Sequence, residues 1–270
     1  MPVYNSQQGL IWHYRSPKER VIYAVAWLAT LALIAVCWRF ISAQTFWIFV
    51  QDAPEQAGDL LRRMFPPRWS YINELWLPLW DTLTIATLGT LLAIILATPV
   101  AFLAARNTTP HGIFRGLALL VIVSSRSVHS LIWSLLLVFL LGPGVFAGVI
   151  AIGLRSIGFI AKLLYEAIEE IDPRQVEAIR ATGASGSQVL SYGVVPQILP
   201  TFAGVVVFRW DINIRESTIV GLVGAGGIGL ALDSSISSLS WSQASVIFTC
   251  IFGLVLLSEW VSARVRKAII

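Results

Sequence analysis

The sequence predicts an all-α polytopic membrane protein, and three observations lead to this fold class. The 270-residue chain is 56% hydrophobic and only 13% charged, which is about half the charged fraction of a soluble domain. Its apolar residues fall in blocks long enough to cross a bilayer, which takes roughly 20 residues in a helix. These blocks recur along the chain, whereas a transmembrane barrel would show short alternating strands.

Six predominantly apolar runs are the predicted spans. They are Val21–Ala43, Leu79–Ala105, Ile113–Leu141, Val145–Leu164, Ile198–Val223 and Ser242–Val261. Lys and Arg cluster before the first span, between the second and third, and after the last, and the positive-inside rule assigns such ends to the cytoplasm. We therefore expect one transmembrane domain over residues 1–270 with cytoplasmic termini, including the stretch over residues 1–20. The first run starts too late for a cleaved signal peptide, so we expect it to be retained.

The segment over residues 44–80, between the first two spans, is predicted to be extracytoplasmic. Leu60, Leu61, Met64 and Phe65 recur there at helical spacing, which predicts an amphipathic helix lying at the membrane interface. The aromatic-rich sequence PPRWSYINELWLPLW follows this helix and is typical of an interfacial belt.

Two interruptions break the apolar pattern. The sequence SSRSVHS, Ser124–Ser130, lies inside the third span, and polar residues at that depth predict a broken helix whose backbone is satisfied within the protein. The glycine-rich and then serine-rich sequence GLVGAGGIGLALDSSISSLSW, Gly221–Trp241, lies between the fifth and sixth spans and is expected to form a re-entrant or loop segment. It includes the sequence GAGGIG, Gly224–Gly229. Because glycines let backbones approach closely, Gly224, Gly226 and Gly227 are candidates for a gate. Tight helix packing or a flexible turn is the alternative of equal weight.

A polar segment rich in small residues lies in the predicted cytoplasmic region over residues 165–197. Asp172 can cap a helix, Pro173 suits its first position, and Gln175 has the spacing of a capping box. Gly183 suits the left-handed position that ends such a helix. The sequence therefore predicts a short helix that stops at a glycine.

A second short helix is predicted to follow this glycine, capped by Ser185 or Ser187. The result is a helix–glycine–helix knuckle that projects from the bilayer. Ala178, Ala181 and Ala184 give the knuckle a small-residue face, which suits close docking on a partner. A merely structural cytoplasmic loop is the alternative that the residues leave open.

The knuckle resembles the EAA loop of ATP-binding cassette importer permeases, whose pattern is E-A-A, three residues, Gly, nine residues and I-x-L-P. Glu177 and Ala178 match, and Ile179 replaces the second Ala. Gly183 and Pro196 stand where the pattern requires them. The positions that depart from the pattern are Gly193 and Val195.

In that family the loop is a coupling helix that sits in a cleft of the ATPase subunit. The resemblance therefore implies that this segment transmits closure of the ATPases to the spans. The residues to which it assigns this role are Glu177, Ala178, Ala181, Thr182, Gly183, Ala184 and Ser185.

A longer stretch, Tyr165–Leu232, and the sequence SEWVSARVR near the C-terminus resemble the phosphonate/phosphite importer permeases. This resemblance implies a type I-like permease with about six spans, which works as a homodimer in the bacterial inner membrane. It also implies two cytoplasmic ATPase subunits that bind ATP and Mg²⁺, and an extracytoplasmic binding protein that delivers a phosphonate or phosphite-type oxyanion. The chain itself is expected to bind no cofactor, since its glycine-rich sequence lacks the lysine of a phosphate-binding loop.

Ionisable residues inside predicted spans are costly, and they commonly mark functional sites. The candidates selected from the third, fourth and fifth spans are Arg126, Arg155, Arg209, Asp211, Arg215 and Glu216. Asp211 and Arg215 are four apart with the acid first, which is the favourable order for a same-face helical ion pair. Four arginines against two acids leave a surplus of two positive charges, 4 − 2 = 2, and such a surplus suits an anion path.

Arg126 and Arg215 are the preferred candidates for lining this path. Arg126 has no acid within its span, and Arg215 is flanked by polar residues, whereas Arg155 is a weaker candidate. Structural pairing of each arginine is the competing interpretation. The polar neighbours assigned to the same path are Ser127, Asn213 and Ser217.

Other function classes fit the sequence less well. Ser124, Ser127, Ser130 and His129 lie too close along one helix to act as nucleophile and base of an intramembrane hydrolase, so we expect a transport subunit and no enzyme. A passive anion channel would carry similar arginines, but it would not need the knuckle. The residues do not distinguish an importer of phosphonate or phosphite from an importer of another small solute.

Two further site classes are excluded by position along the chain. Cys37 and Cys250 both fall inside apolar runs, so neither a disulfide framework nor a metal site is expected. No basic cluster is free of membrane context, so the pI of about 9.3 does not indicate binding of nucleic acid.

Overall fold

The computed structural model of the chain describes residues 3–6, 9–12 and 16–269. Two compact units make up the chain, Met1–Leu61 and Arg62–Ile270. Nearly all of the described residues are helical, so the predicted all-α fold is confirmed, with one short hairpin in addition.

The first unit begins with this hairpin and continues into a long apolar helix. Strands β1 (Val3–Ser6) and β2 (Gly9–Trp12) pair antiparallel, and no feature of the sequence pattern predicted them. Helix α1 (Pro17–Gln44) follows and contains the first predicted span. A capping box fixes its start, in which the Ser16 N–H donates to Glu19 Oε2 at 2.8 Å and the Glu19 N–H donates to Ser16 Oγ at 3.3 Å.

Helix α2 (Trp47–Met64) carries the predicted amphipathic pattern. It begins at Trp47, ahead of the stretch on which the prediction was based, and none of its residues is buried. The Trp47 ring lies 6.1 Å from the ring of Trp38 on α1, centroid to centroid. A location of α2 at the outer membrane interface remains a prediction.

The second unit is built from helices. Its α-helices are α3 (Trp76–Ala104), α4 (Gly112–Ser127), α5 (Ser130–Leu141), α6 (Val145–Glu169), α7 (Pro173–Ala181), α8 (Gly186–Val189), α9 (Val195–Val220), α10 (Ile228–Ser237) and α11 (Trp241–Ile269). A 3-10 turn precedes α3 and two π-helical turns flank α9: Trp69–Glu74, Leu190–Val194 and Gly221–Ala225. The short α10 occupies part of the segment that was predicted as a re-entrant or loop segment.

Five described helices are long and apolar enough to cross a membrane, and the bent α4–α5 pair makes a sixth if it is counted as one span. The two halves of this pair meet at 88°. The break falls at Val128 and His129, which both have extended backbones. His129 Nδ1 accepts a hydrogen bond from the Leu131 N–H at 3.2 Å, and this side-chain cap begins α5. The predicted break in the third span is confirmed.

The core of the second unit lies between α3 and α6, where small residues let the two backbones approach. Ala93, Ala97 and Ala101 are fully buried along one face of α3, at the spacing of one helical turn. A β-carbon at Gly89 would lie 2.9 Å from Ile152 Cγ2. Lipid gives helices little hydrophobic reason to associate, so membrane bundles depend on such close packing.

Candidate functional site

The helix–glycine–helix knuckle is present, with one difference at its cap. The Asp172 carboxylate accepts a hydrogen bond from the N–H two residues later at 2.9 Å, and α7 has no capping box with Gln175. The capping box falls on α8 instead, where the Ser185 N–H donates to Gln188 Oε1 at 2.8 Å. Gly183 between the two helices has φ of +79°, a conformation that glycine adopts without strain.

The residues that the resemblance assigns to coupling lie on the outer surface of the knuckle. Those that are exposed are Glu177, Ala178, Ala181, Thr182, Gly183 and Ser185, and Ala184 is half-buried. A cavity of about 600 Å³ lies beside them, lined by α7, α8 and the turn after α3. The Asp172 N–H donates to Gln197 Oε1 at 3.0 Å, which anchors the knuckle to the first turn of α9. Docking of an ATPase on this surface remains a prediction.

The second arm of the knuckle runs into α9 without a break. Helix α8, the first π-helical turn and α9 form one helical path within Gly186–Ala225. Pro196 lies in the first turn of α9 and Pro200 lies inside it. Single π-helical turns are rare and frequently occur at functional sites. This path joins the exposed knuckle to the charged residues of α9.

A layer of polar side chains crosses the interior of the second unit at the middle of α9. Arg209 is at its centre and is only 3% exposed. Its Nε donates to Ser156 Oγ at 2.9 Å, and Ser156 Oγ lies 3.2 Å from Asn213 Oδ1. Asn213 Nδ2 in turn donates to Thr90 Oγ1 at 2.7 Å. These contacts link α9 to α6 and α3 and satisfy polar groups that lipid cannot satisfy.

Two arginines of this layer share the carboxylate of Glu216. Arg209 Nη2 donates to both carboxylate oxygens at 3.3 Å, and Arg155 Nε lies 3.5 Å from Oε1. Arg155 Nη1 also donates to the Val128 carbonyl at 3.4 Å, at the break between α4 and α5. Two guanidinium groups against one carboxylate leave a charge of 2 − 1 = +1 in this group.

Asp211 and Arg215, the predicted same-face pair, form an ion pair in the structure. Asp211 also accepts a hydrogen bond from Ser258 Oγ at 2.7 Å, which ties α9 to α11. The Arg215 side chain is 47% exposed, so the pair reaches the surface of this chain. Asn213 and Ser217, the polar neighbours of Arg215, are fully buried instead. In this conformation Asn213 and Ser217 are part of the buried interior. A role in the transport path remains a prediction for Arg215, Asn213 and Ser217.

Arg126 lies near the end of α4 and is exposed, as is Ser127. Within residues 16–269 it makes no ion pair. Its stem passes over Gly158, where a β-carbon would lie 2.8 Å from Arg126 Cγ. Gly158 and Arg155 are three apart and therefore share one face of α6. Arg126 and Arg155 thus both lie along the contact between α4 and α6.

Several polar side chains near the helix break form hydrogen bonds with backbone groups. Ser127 Oγ donates to the Ser124 carbonyl at 2.9 Å. Ser125 Oγ accepts the Gly158 N–H at 2.9 Å and joins α4 to α6. His129 Nδ1 accepts from the backbone of α5, as described above. These hydroxyl groups and the imidazole therefore serve the geometry of the break.

The glycine-rich segment after α9 is a tight turn packed on α3. Gly224, Gly226 and Gly227 have φ of +92°, +84° and +72°, a conformation that other residues adopt only with strain. Thr82 Oγ1 accepts the N–H of Ile228 at 2.8 Å and holds the turn in place. The backbone therefore requires glycine here, whereas a gate at these positions remains a prediction.

A Glu216→Gln variant is expected to lower the free energy of unfolding by about 3 kcal/mol, because it leaves Arg209 buried without its counter-charge. Glu169→Gln is the matched control, since Glu169 pairs with Arg106, whose side chain is 74% exposed. Such a surface pair contributes about 1 kcal/mol or less. The thermal midpoint of the detergent-purified chain checks both variants, and equal midpoints would contradict a structural role for the buried group.

Comparisons with known proteins agree with this architecture. Residues 89–268 match the family model described as binding-protein-dependent transport system inner membrane component. The chain is 37% identical to the phosphite transport system permease protein PtxC of Stutzerimonas stutzeri, over 96% of this chain and 91% of that protein. It is 39% identical to the phosphate-import permease protein PhnE of Mycolicibacterium smegmatis, over 81% of this chain and 41% of that protein.

Solved structures share the fold at low sequence identity. The inward-facing MetNI methionine ABC transporter has a TM-score of 0.62 at 20% identity, over 73% of this chain and 98% of that chain. A bacterial ABC transporter that imports the acidic polysaccharide alginate has a TM-score of 0.56 at 17% identity, over 92% of this chain and 99% of that chain. The predicted importer-permease fold is confirmed. The chain is a multi-pass inner-membrane transport subunit, and it belongs to the family of binding-protein-dependent transport system inner membrane components.

Proposed function

We propose that the chain is the membrane-spanning subunit of an ATP-driven importer that carries phosphonate, phosphite or a related phosphorus oxyanion into the cell. The observation that carries this proposal is the match to a phosphite transport permease over 96% of this chain. A second relative is named for phosphate import. The chemistry common to these cargoes is a tetrahedral phosphorus oxyanion.

The charges inside the membrane domain support an anionic cargo. Arg126 is exposed and has no ion-pair partner in the described part of the chain. The group of Arg155, Arg209 and Glu216 adds a net charge of +1. Guanidinium groups bind such oxyanions through paired hydrogen bonds. The surplus is modest, which suits a path that must release its cargo as well as bind it.

A second copy of this chain, two cytoplasmic ATPase subunits and an extracytoplasmic binding protein complete the proposed complex. ATP and Mg²⁺ bind in the ATPase subunits, and this chain holds no cofactor. The exposed knuckle supports such an assembly, because it offers a surface on which movement of an ATPase can act. In the proposed topology the knuckle and both termini are cytoplasmic.

Transport follows alternating access in this proposal. Closure of the ATPases brings the two knuckles together, and the helical path from α8 into α9 carries this movement to the turn at Gly224, Gly226 and Gly227. The turn then opens as the outer gate. Cargo released by the binding protein passes Arg126 and Arg215 before the dimer returns to its inward-open state.

Two alternatives compete with this proposal. An importer of the same fold for another small solute is the first, since the structures that share this fold are named for methionine and alginate and a fold does not set its cargo. A passive anion channel is the second. The knuckle favours a pump over a channel, because a channel needs no docking surface for an ATPase.

ATP hydrolysis by the reconstituted complex tests the proposal. The chain is co-purified in lipid with its proposed ATPase and binding-protein partners, and the binding protein is loaded in turn with phosphonate, phosphite, phosphate, sulfate or nothing. We expect several-fold stimulation by at least one phosphorus oxyanion and none by sulfate. Stimulation only by a solute of another class would contradict the cargo, and anion uptake without any ATPase would favour the channel.

A further inference from the structure

We infer that the break between α4 and α5 is an oxyanion-binding site inside the membrane domain, and that Arg155 is the residue that holds the anion. This inference rests on the proposed function, to which it adds the place and the residues at which the cargo pauses. It differs from the sequence-based preference for Arg215, whose charge is already neutralised by Asp211 in the structure.

Arg155 has unused capacity for hydrogen bonds. Its Nε is buried and makes no hydrogen bond to any described residue, and the nearest carboxylate oxygen, on Glu216, is 3.5 Å away. The bond from Nη1 to the Val128 carbonyl is long, at 3.4 Å. The side chain is also 27% exposed, whereas Arg209 is almost fully enclosed. Arg155 is therefore the arginine of this group that can turn towards a ligand.

Further buried polar atoms without a described partner lie at the start of α5, just after the break that Arg155 contacts. They are Ser130 Oγ, Trp133 Nε1 and Ser134 Oγ. All three belong to the first five positions of the 12-residue helix α5, and α5 begins two residues after Val128, which Arg155 contacts. A buried polar atom without a partner destabilises the folded chain. A ligand that accepts hydrogen bonds would supply partners for donors in this part of α5.

The electrostatics of the break also favour an anion. The start of α5 contributes the positive end of a helix dipole. Arg126 lies two residues before Val128 and has no acidic partner among the described side chains. A tetrahedral oxyanion presents several acceptor oxygens, so it can bind a guanidinium group and a hydroxyl group at once.

Glu216 explains how such a site can release its ligand. In this structure Glu216 holds Arg155 by an ion pair and Arg209 by two hydrogen bonds. An anion that takes Arg155 leaves Glu216 paired with Arg209, so no buried carboxylate is left without a counter-charge. Return of Arg155 to Glu216 then expels the anion. The carboxylate therefore competes with the cargo for one guanidinium group.

The test measures anions moved per ATP hydrolysed in proteoliposomes that contain the complete complex, with radiolabelled phosphite or phosphate on the binding protein. Arg155→Gln removes the charge, Arg155→Lys keeps the charge but loses Nε and the planar fork, and Ser130→Ala removes one unpartnered hydroxyl. Arg264→Gln is the matched control, because its guanidinium lies over the Trp260 ring at 4.6 Å, on α11.

We expect Arg155→Gln to move about tenfold fewer anions per ATP. The reason is that loss of a hydrogen bond to a charged group weakens binding by about tenfold. Arg155→Lys and Ser130→Ala are each expected to lower the ratio about threefold, and Arg264→Gln to leave it unchanged. A ratio that stays constant in Arg155→Gln, even if uptake and hydrolysis fall together, overturns the inference. If that variant does not assemble, constant ratios in both milder variants overturn it. Failure of the unmodified complex to take up any phosphorus oxyanion refutes the proposed function instead, so the two failures are distinguishable.

Discussion

A Gly183→Val variant is expected to lose stimulation of ATP hydrolysis by the loaded binding protein, by about tenfold or more. Gly183 has φ of +79°, and a β-branched residue adopts such a conformation only as an outlier. The resulting strain is about 1–3 kcal/mol, enough to open the knuckle. The exposed residues of α7 and α8 would then no longer meet an ATPase in one arrangement. The assay compares hydrolysis with and without loaded binding protein in lipid, normalised to the amount of co-purified ATPase.

Gly183→Asn is the control for this variant, because asparagine tolerates the left-handed conformation. No atom lies within 4 Å of the β-carbon position at Gly183, so neither substitution creates a clash within the chain. We expect the asparagine variant to retain most of the stimulation. Equal loss in both variants would show that the absence of a side chain matters, and retention in both would show that the knuckle does not couple.

A Gly229→Ala variant is expected to lose most of the folded, detergent-stable chain. A β-carbon at this position would overlap the Thr218 carbonyl oxygen and would lie 2.8 Å from the Gly221 α-carbon. Both contacts are with backbone atoms, so rotation of a side chain cannot relieve them. The expected loss is about 3 kcal/mol or more in the free energy of unfolding, at the upper end for an overpacked interior.

Gly253→Ala is the matched control for the packing variant. Gly253 also lies in a helix of the membrane domain, and no atom is found within 4 Å of its β-carbon position. Alanine in a helix is slightly more favourable than glycine, so the thermal midpoint should stay constant or rise. Size-exclusion chromatography after heating gives the midpoint of each variant. The same midpoint for both variants would mean that the turn after α9 can rearrange at little cost.

The features that the sequence predicted correctly depend on residues close together in the chain. The conformation of Gly183, the break before Ser130 and the pairing of Asp211 with Arg215 all arise within about one or two helical turns. Apolar runs likewise indicate spans because every backbone group in lipid must be satisfied within its own helix. Local chemistry was therefore sufficient for the fold class and for the shape of the knuckle.

The group of Arg155, Arg209 and Glu216 was missed as a unit because it joins two helices. Arg209 and Glu216 are seven apart on α9, a spacing that returns to the same face after two turns, and this signal was present in the sequence. Nothing in the sequence placed Arg155 of α6 against the same carboxylate. The sequence alone therefore could not show which arginine is paired and which is available, because this depends on how α6 packs on α9.

Gly158 shows that close contacts between helices are equally hard to predict from the sequence. A β-carbon there would lie 2.6 Å from the Ile122 carbonyl oxygen, so α4 and α6 are in backbone contact at this residue. Within the sequence, Gly158 resembles any other glycine in a membrane helix, where small residues are common. Which of these glycines allows a close contact depends on the partner helix, and no local pattern identifies it.

The continuous helical path between the knuckle and the glycine-rich turn is long enough for a small tilt at one end to displace the other end by several ångströms. Helix α9 alone has 26 residues, or about 39 Å of length at 1.5 Å per residue. If the helix tilts by about 6° around the end that adjoins the knuckle, the opposite end moves by about 4 Å. Its far end leads directly into Gly221, where a β-carbon would already lie only 2.5 Å from the Gly226 carbonyl oxygen. A tilt that hardly alters the packing near the knuckle would therefore displace the turn at Gly221 by several ångströms. The turn could not keep its present backbone contacts after such a movement.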